Sequence, residues 1–248
     1  MKLKNKVALV TGGGTGIGRA CSLAFAREGA AVAVNYSRSQ EDAEKTAEDA
    51  RELSGRAMAF QASVSSDEDV GRMIEHIEEE YGRLDVVVNN AGTTSFVSHD
   101  DLDGLTAEMW DDVMAVNVKG AFFVSRAAVK LMRKNDGGSI VNISSIAGLT
   151  GLGSSIAYCA SKSAMLSMTK SLARVLAPDV RVNAVSPGIV ITRWVEGWEE
   201  FVELNIKKTP MQRPAYPEDI ADTVLFLVCG TSFVTGENIV TDGGKVLG

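Results

Sequence analysis

Residues 7–20 read VALVTGGGTGIGRA. A short run of β-forming residues meets a cluster of glycines, and a segment of helical character follows. Gly12, Gly16 and Gly18 give the spacing Gly-x3-Gly-x-Gly, with Thr15 and Ile17 between them. Glycine lets a chain turn sharply and lie close to a bulky group, and the N–H groups opening the next helix point at an anion seated there. No Gly-Lys-Ser/Thr follows, so the turn is not a Walker A loop. A glycine turn becomes informative when it closes the first strand of a chain that alternates strand and helix.

That alternation is present. Strand candidates recur at 7–11, 31–36, 57–61, 85–90, 139–144 and 180–185, with a short last one at 238–242. They are continuous apolar runs and not alternating ones, which predicts strands buried on both faces of a parallel sheet. Amphipathic stretches such as EDAEKTAEDARELSG and DEDVGRMIEHIEEEYG lie between them. Gly29, Gly55 and Gly82 stand where left-handed helix caps are wanted. The pattern predicts right-handed βαβ crossovers in an α/β Rossmann fold: a doubly wound parallel sheet of about seven strands, helices on both faces. No linker or charge block divides the 248 residues, so residues 1–248 read as a single domain. The long segment at about 188–216, with Trp194, Trp198 and Phe201, reads as a substrate lid.

Bulk properties narrow the function classes. The chain is 45% hydrophobic and 23% charged, enough for a large core. A net charge of -7 argues against a nucleic-acid surface. Cys21, Cys159 and Cys229 are far apart and odd in number, which fits a reduced, cytoplasmic setting better than a disulfide framework. With only His76 and His99, neither a histidine metal site nor a Ser-His-Asp hydrolase is favoured, and no metal is expected. The apolar run near the N-terminus is short and ends in glycines, so it reads as a strand and not a signal peptide, and no stretch spans a membrane.

A dinucleotide is the ligand that suits such a turn, and the end of the second strand bears on which one. NAD enzymes place a carboxylate there for the ribose 2′-hydroxyl, whereas an arginine accommodates a 2′-phosphate. Here Asn35 is followed by Tyr36, Ser37 and Arg38, with no carboxylate before Glu41. Arg38 can pair with a phosphate dianion and Ser37 can donate to it. NADP(H) is therefore favoured, with NAD(H) left as the alternative. The fourth strand runs into Asn89, Asn90, Ala91 and Gly92, where the ends of parallel strands line the ligand crevice. Asn117 lies inside a long helical stretch, and asparagine there signals a local kink or a task. Tyr158 and Lys162 are four residues apart, which puts both on one helix face.

In these motifs the sequence resembles the short-chain dehydrogenase/reductase family along essentially its whole length. The resemblance rests on TGGGTGIG, NNAG, the Asn of MAVN, the Ser of VNISS, YCASK, the Pro187-Gly188 pair and the terminal VTGENIVTDGG, all in order. It implies a catalytic tetrad of Asn117, Ser145, Tyr158 and Lys162. Ser145 is preferred over Ser144 because it keeps the family's distance to the tyrosine. The resemblance also implies cofactor contacts from Pro187 to Val190 (Gly188 and Ile189 included), from Thr192, and beside the adenosine from Asn89 and Gly92. One departure stands out: Ser63, before Val64, replaces an Asp that commonly binds the adenine amino group.

The implied reaction moves hydride between a nicotinamide and a carbonyl or alcohol. Tyr158 exchanges the proton, Ser145 holds the substrate oxygen, and Asn117 positions a water. A free phenol has a pKa of about 10, and Lys162 together with an oxidised nicotinamide is expected to lower it. The overall look is that of 3-oxoacyl-[acyl-carrier-protein] reductase-like members. The substrate pocket is expected from Thr94, Ser95, Phe96, Leu149–Leu152, Ile189, Val190 and the Trp194–Phe201 lid. Arg133, Lys134 and Arg174 are either carrier-protein contacts or, as the better reading, ordinary solvated charges. A homodimer or homotetramer is implied, with small residues at Ala157, Ala160, Ser161, Ser163 and Ala164 allowing close approach. Alternatives are a polyol, sugar or steroid alcohol dehydrogenase of the same family, and a catalytically quiet NADP(H)-binding sensor or scaffold.

Overall fold

The computed structural model of the chain describes residues 1–247, the side chain of Phe201 excepted. Seven strands form one sheet: β1 Val7–Val10, β2 Ala31–Tyr36, β3 Ala57–Gln61, β4 Val86–Asn89, β5 Gly138–Ile143, β6 Val180–Pro187 and β7 Asn238–Thr241. Every pairing is parallel and the order is β3-β2-β1-β4-β5-β6-β7. β1 pairs with both β2 and β4, so the winding direction reverses at β1, and its carboxyl end opens the crevice of a doubly wound sheet.

The continuous apolar runs are explained by two covered faces. Ala8 and Val10 of β1 pack with α1 (Gly16–Arg27), α2 (Gln40–Ser54) and α9 (Pro217–Leu225). Val7 and Leu9, pointing the other way, pack with α3 (Asp67–Tyr81), α5 (Ala121–Lys134) and α7 (Ile156–Leu176). Each strand residue thus needs an apolar side chain whichever face it meets. Gly55 and Gly82 cap α2 and α3 in the left-handed region, at φ 81° and 71°.

The stretch from α4 (Ala107–Met114) into α5 is helical throughout, but Ala115–Gly120 between them winds as a wide π turn. Asn117 lies within this turn and is fully buried. The expected kink is therefore a π bulge, a local widening that turns a helix-interior side chain toward a site. Beyond β5 comes the single-turn α6 (Ala147–Thr150), and beyond β6 come a short 3-10 turn, Arg193–Val195, and α8 (Glu199–Lys207). All these connections emerge at the carboxyl edge of the sheet. No helix among the described residues is long and apolar enough to cross a membrane.

Candidate active site

The glycine turn is built to be close-packed on one side and open on the other. Gly12 and Gly16 hold φ of +58° and +50°. A Cβ on Gly18 would stand 2.2 Å from the Gly12 carbonyl oxygen, so only hydrogen fits there. Asn90 ties the turn down, its Nδ2 donating to the carbonyls of Thr11 (2.9 Å) and Gly12 (3.0 Å). Thr11 Oγ1 returns the contact by accepting from the Asn90 and Ala91 N–H groups. Thr15 caps α1 in an extended conformation, yet no side chain satisfies the first turn. Those N–H groups, close to Ile17 and Gly18, are left to an anionic ligand. The residues present fit the pyrophosphate of a dinucleotide.

On the adenosine side Tyr36 closes β2 at 9% exposure, while Ser37 and Arg38 face solvent. Asn35 turns inward and donates to the Ala62 carbonyl at 3.0 Å. At the end of β3 the Ser63 hydroxyl is engaged with that of Ser65 at 2.9 Å. Asp69, in the first turn of α3, accepts from the Ser63 N–H at 3.2 Å. Its other oxygen pairs with Arg72, so this carboxylate fixes the end of β3, a contact that strand-end reading could not find. Val64 is buried under Gly120, where an added Cβ would meet it at 2.7 Å, so its side chain belongs to the packing. Asn89 also departs from expectation. It is 2% exposed and donates to Ser125 and Asn142 inside the protein, and Asn90 is the one on the crevice.

The second cluster gathers where β5 meets α7. Ser155 caps α7, its Oγ accepting from the Tyr158 N–H at 3.2 Å. Ser145 stands close enough to Tyr158 for its side chain to oppose the rise of the phenol's pKa, and its Oγ accepts from the Ala147 N–H at 3.1 Å. Ser144 plays another part, donating at 2.9 Å to the carbonyl of Lys162. Asn117 accepts from the Thr93 N–H at 2.8 Å and donates to Ser161 Oγ at 3.0 Å. Ser161 in turn donates to the Tyr158 carbonyl at 2.7 Å. The π bulge is thereby tied to the helical turn that carries Tyr158 and Lys162, and a Cβ on Gly92 would lie within 4 Å of both the Asn117 Oδ1 and the Lys162 Nζ.

The electrostatics reverse one expectation. Lys162 is 4% exposed, and its Nζ donates to the Ile143 carbonyl at 2.8 Å, lying 5.6 Å from the centre of the Tyr158 ring. Burial lowers its pKa from 10.5 to about 8. Part of Tyr158 stays accessible by area, but the protein crowding its surroundings dominates. Burial pushes the phenol up to about 12, against the opposing hydrogen bond from Ser145. The chain alone does not make this phenol more acidic. Desolvation disfavours whichever form is charged, so it moves the acid up and the base down.

A strap crosses from this cluster to the glycine turn. Thr192 Cγ2 lies 3.1 Å from the place of a Gly16 Cβ, and the Thr192 Oγ1 accepts from the Trp194 N–H. Arg193 reaches Ser39 (3.2 Å) and Asp42 (3.4 Å) at the start of α2. Sequence reasoning missed this contact, because its partners are more than 150 residues away and nothing local announces it. Ile189 and Ile191 bond the Ala215 backbone, which fixes the base of the segment. Trp194 sits 6.0 Å from the Tyr158 ring and Trp198 sits 5.3 Å from Phe96. Leu149 and Leu152 are exposed. The Phe201 side chain lies outside the described residues. Arg133 and Lys134 are paired with Asp179 and Glu78 of the same chain. Cys159, beside the tyrosine, is 7% exposed and packs near Gly153.

A family model described as Enoyl-(Acyl carrier protein) reductase matches residues 12–245. The chain is 42% identical over 244 residues to a Streptomyces violaceoruber protein named as ketoacyl reductase 2 of granaticin polyketide synthase, covering 97% of this chain and 96% of that one. It is 39% identical over 250 residues to the 3-oxoacyl-[acyl-carrier-protein] reductase FabG of Thermotoga maritima, covering 100% of both. Among solved structures, a short-chain type dehydrogenase/reductase from Mycobacterium marinum superposes with a TM-score of 0.92 at 33% identity, covering 99% of this chain and 97% of that one. Likeness on this scale takes in the strap, the rest of the 188–216 segment and the last strand as well as the nucleotide-binding half, and it makes this protein a member of the short-chain dehydrogenase/reductase family of oxidoreductases.

Proposed function

We propose that this enzyme reduces the ketone of a 3-oxoacyl thioester with NADPH, using Tyr158 as the proton donor. One observation carries the reading: the Ser145 side chain stands beside the Tyr158 phenol, whose ring lies 5.6 Å from the ammonium of a buried Lys162. Two O–H groups converging on one point suit a carbonyl oxygen, which takes a hydrogen bond from one and a proton from the other. With burial holding it near 12, the phenol is fully protonated at neutral pH and ready to act as an acid. NADPH, when bound, supplies the hydride. Lys162 would hold the ribose hydroxyls next to it, while Asn117, through Ser161 and Thr93, keeps Tyr158 and the Gly92 backbone in register.

The cofactor would be gripped by the Gly12–Gly18 turn at its pyrophosphate. Ser37 and Arg38 stand at the 2′-phosphate, Thr15, Asn90, Ala91 and Gly92 line the groove, and Pro187, Gly188, Ile189, Val190 and Thr192 lie along the nicotinamide end. Arg38 forms no ion pair among the described residues, so its charge is available to a dianion. The 3-oxoacyl substrate follows from the relatives named above and from the apolar mouth of Phe96, Leu149 and Leu152. The chain would act as one catalytic domain with residues 188–216 as its lid, in the cytosol, as a homotetramer or homodimer. Phe122, Ser163 and Ala164 are open to solvent for such an assembly.

The test follows NADPH oxidation with 3-oxobutanoyl and crotonyl thioesters side by side, because the family model carries the name of an enoyl reductase. Turnover of the ketone is expected, and Tyr158→Phe is expected to lower kcat by about 10²–10⁴-fold with NADPH affinity kept. Turnover of the enoyl thioester alone, or a Tyr158→Phe enzyme of near-normal kcat, would overturn the assignment.

A further inference from the structure

Arg193 is where the strap touches the adenosine side of the crevice. Its guanidinium donates to Ser39 Oγ at 3.2 Å and to Asp42 at 3.4 Å. Ser39 follows Arg38 directly, so this charge stands beside the Ser37–Arg38 turn. We propose that Arg193 is a specificity-determining residue for the cofactor. It leaves Asp42 for the 2′-phosphate of NADPH, and holds that phosphate from the strap while Arg38 holds it from the end of β2. The inference rests on the NADP(H) reading above and adds to it a residue from a distant part of the chain.

Three observations support it. The first is room. Beside the glycine turn lies an open cleft of about 390 Å³, bounded by Gly14–Gly16, by Asp42 and Lys45 of α2, and by Ile191–Arg193 of the strap. The Arg193 side chain is half exposed at its rim, so it overhangs space for a ligand and is not locked in packing.

The second is how the cations of this cleft are employed. Arg19 and Lys45 also border it, but Asp49 holds both, at 2.6 and 3.1 Å, and Glu48 holds Lys45 as well. Among the described residues, the one ion pair of Arg193 is its longer contact with Asp42, and both members are half exposed. Water screens such a pair, and holding it costs side-chain freedom, so it is readily given up. A phosphate dianion offers a guanidinium more charge and more acceptor oxygens than one carboxylate does.

The third is charge balance. The first turn of α2 carries Glu41 and Asp42. A 2′-phosphate seated at Ser37 and Arg38 brings a dianion close to both carboxylates, with the single charge of Arg38 to offset them. A second guanidinium is needed there, and Arg193 is the one the fold delivers. Its neighbour Thr192 meets Gly16, and Trp194 lies 6.0 Å from the Tyr158 ring. Contact with the phosphate therefore also fixes the strap beside the proton donor.

Calorimetric titrations with adenosine 2′,5′-bisphosphate and with 5′-AMP isolate the 2′-phosphate, since neither ligand carries a nicotinamide or needs a substrate. Arg193→Gln should weaken the bisphosphate about tenfold and leave 5′-AMP within about twofold, and Arg193→Lys should regain part of the loss. Equal weakening of both ligands would mean that Arg193 only anchors the strap. Unchanged bisphosphate affinity would mean that it does not reach the phosphate, and either result overturns the proposal. In an Asp42→Asn background the tenfold loss should persist. Its disappearance would show that Arg193 only neutralises Asp42, which overturns the proposal as well. Arg38→Glu in the same titrations tests the NADP(H) reading separately. A bisphosphate preference that falls with Arg38→Glu and not with Arg193→Gln keeps that reading and overturns this inference, whereas a wild type with no such preference overturns both.

Discussion

Replacing Lys162 by methionine tests the electrostatics of the site without reference to any substrate. The ammonium is 4% exposed and donates to a neutral acceptor, the Ile143 carbonyl. Its pKa falls from 10.5 to about 8 in the folded chain. Because the folded value is depressed, the unfolded chain binds more protons between those limits. The lysine's contribution to stability is therefore full above the unfolded value and is lost as pH falls through about 8. A shift of this size corresponds to about 3 kcal/mol over the whole window, of which about 2 kcal/mol falls between pH 7 and pH 9.5.

Methionine keeps an unbranched chain and removes the charge. Urea unfolding of both proteins at several pH values should show wild type gaining about 2 kcal/mol on Lys162→Met from pH 7 to pH 9.5. The comparison between the two is needed because Cys21, pushed up to about 12 by burial, costs both of them stability above pH 9. A gap that does not change with pH would refute the burial argument. A wild type that instead loses stability relative to Lys162→Met as pH rises would mean the lysine's pKa is raised, which is what a standing lysine–phenolate pair would produce, since two such charges stabilise each other reciprocally. The experiment therefore decides between desolvation and ion pairing as the main influence on the pair.

Arg38→Glu should reverse cofactor preference: losing a charge-assisted hydrogen bond and adding repulsion should weaken NADPH by about 10–100-fold and spare NADH, as read by titration of both. Unchanged preference would place the 2′-phosphate elsewhere. Gly18→Ala should cost about 1–3 kcal/mol, because the new methyl falls 2.2 Å from the Gly12 carbonyl, and should weaken NADPH with it. Full stability and affinity would mean the turn is not close-packed. Asp85, 5% exposed, is lifted by burial but held below the usual carboxylate range by Arg83, the Val7 N–H and Lys6. Its stabilisation is full above 3.8 and is lost as pH falls through the lowered folded value, so Asp85→Asn should cost about 1–3 kcal/mol at pH 7 and approach wild type as pH falls well below 3.8. A cost that persists in acid would point to packing instead of charge.

What could be read from the chain, and what could not, divides along sequence distance. The strands were legible because a parallel sheet covered on both faces needs unbroken apolar runs, and 31–36 and 57–61 match their strands residue for residue. Asn117 was legible because an asparagine inside an apolar helix has to be accounted for, and a π bulge accounts for it. Asn89 and Asn90 could not be told apart, since adjacent strand residues face opposite ways and the sheet alone decides which way is in. The contacts of Asp69 and Arg193, and those of Ser161, which reads only as a small packing residue, escaped notice for another reason. Each completes a contact with a different element, so no local pattern marks it.

Tyr158 and Lys162 show how far a spacing rule extends. Four residues on a helix put two Cα–Cβ bonds on one face, which the structure upholds. They do not say where a four-carbon stem delivers its ammonium, and here it goes to the end of β5. With its nitrogen there, Lys162 is held against the end of β5, while burial keeps the Tyr158 phenol protonated. On the proposed assignment, such a pair is set for the reducing direction. Oxidation requires the phenolate, so positive charge must come to it from the bound oxidised nicotinamide, and the alcohol-to-ketone reaction should need a higher pH than the reverse.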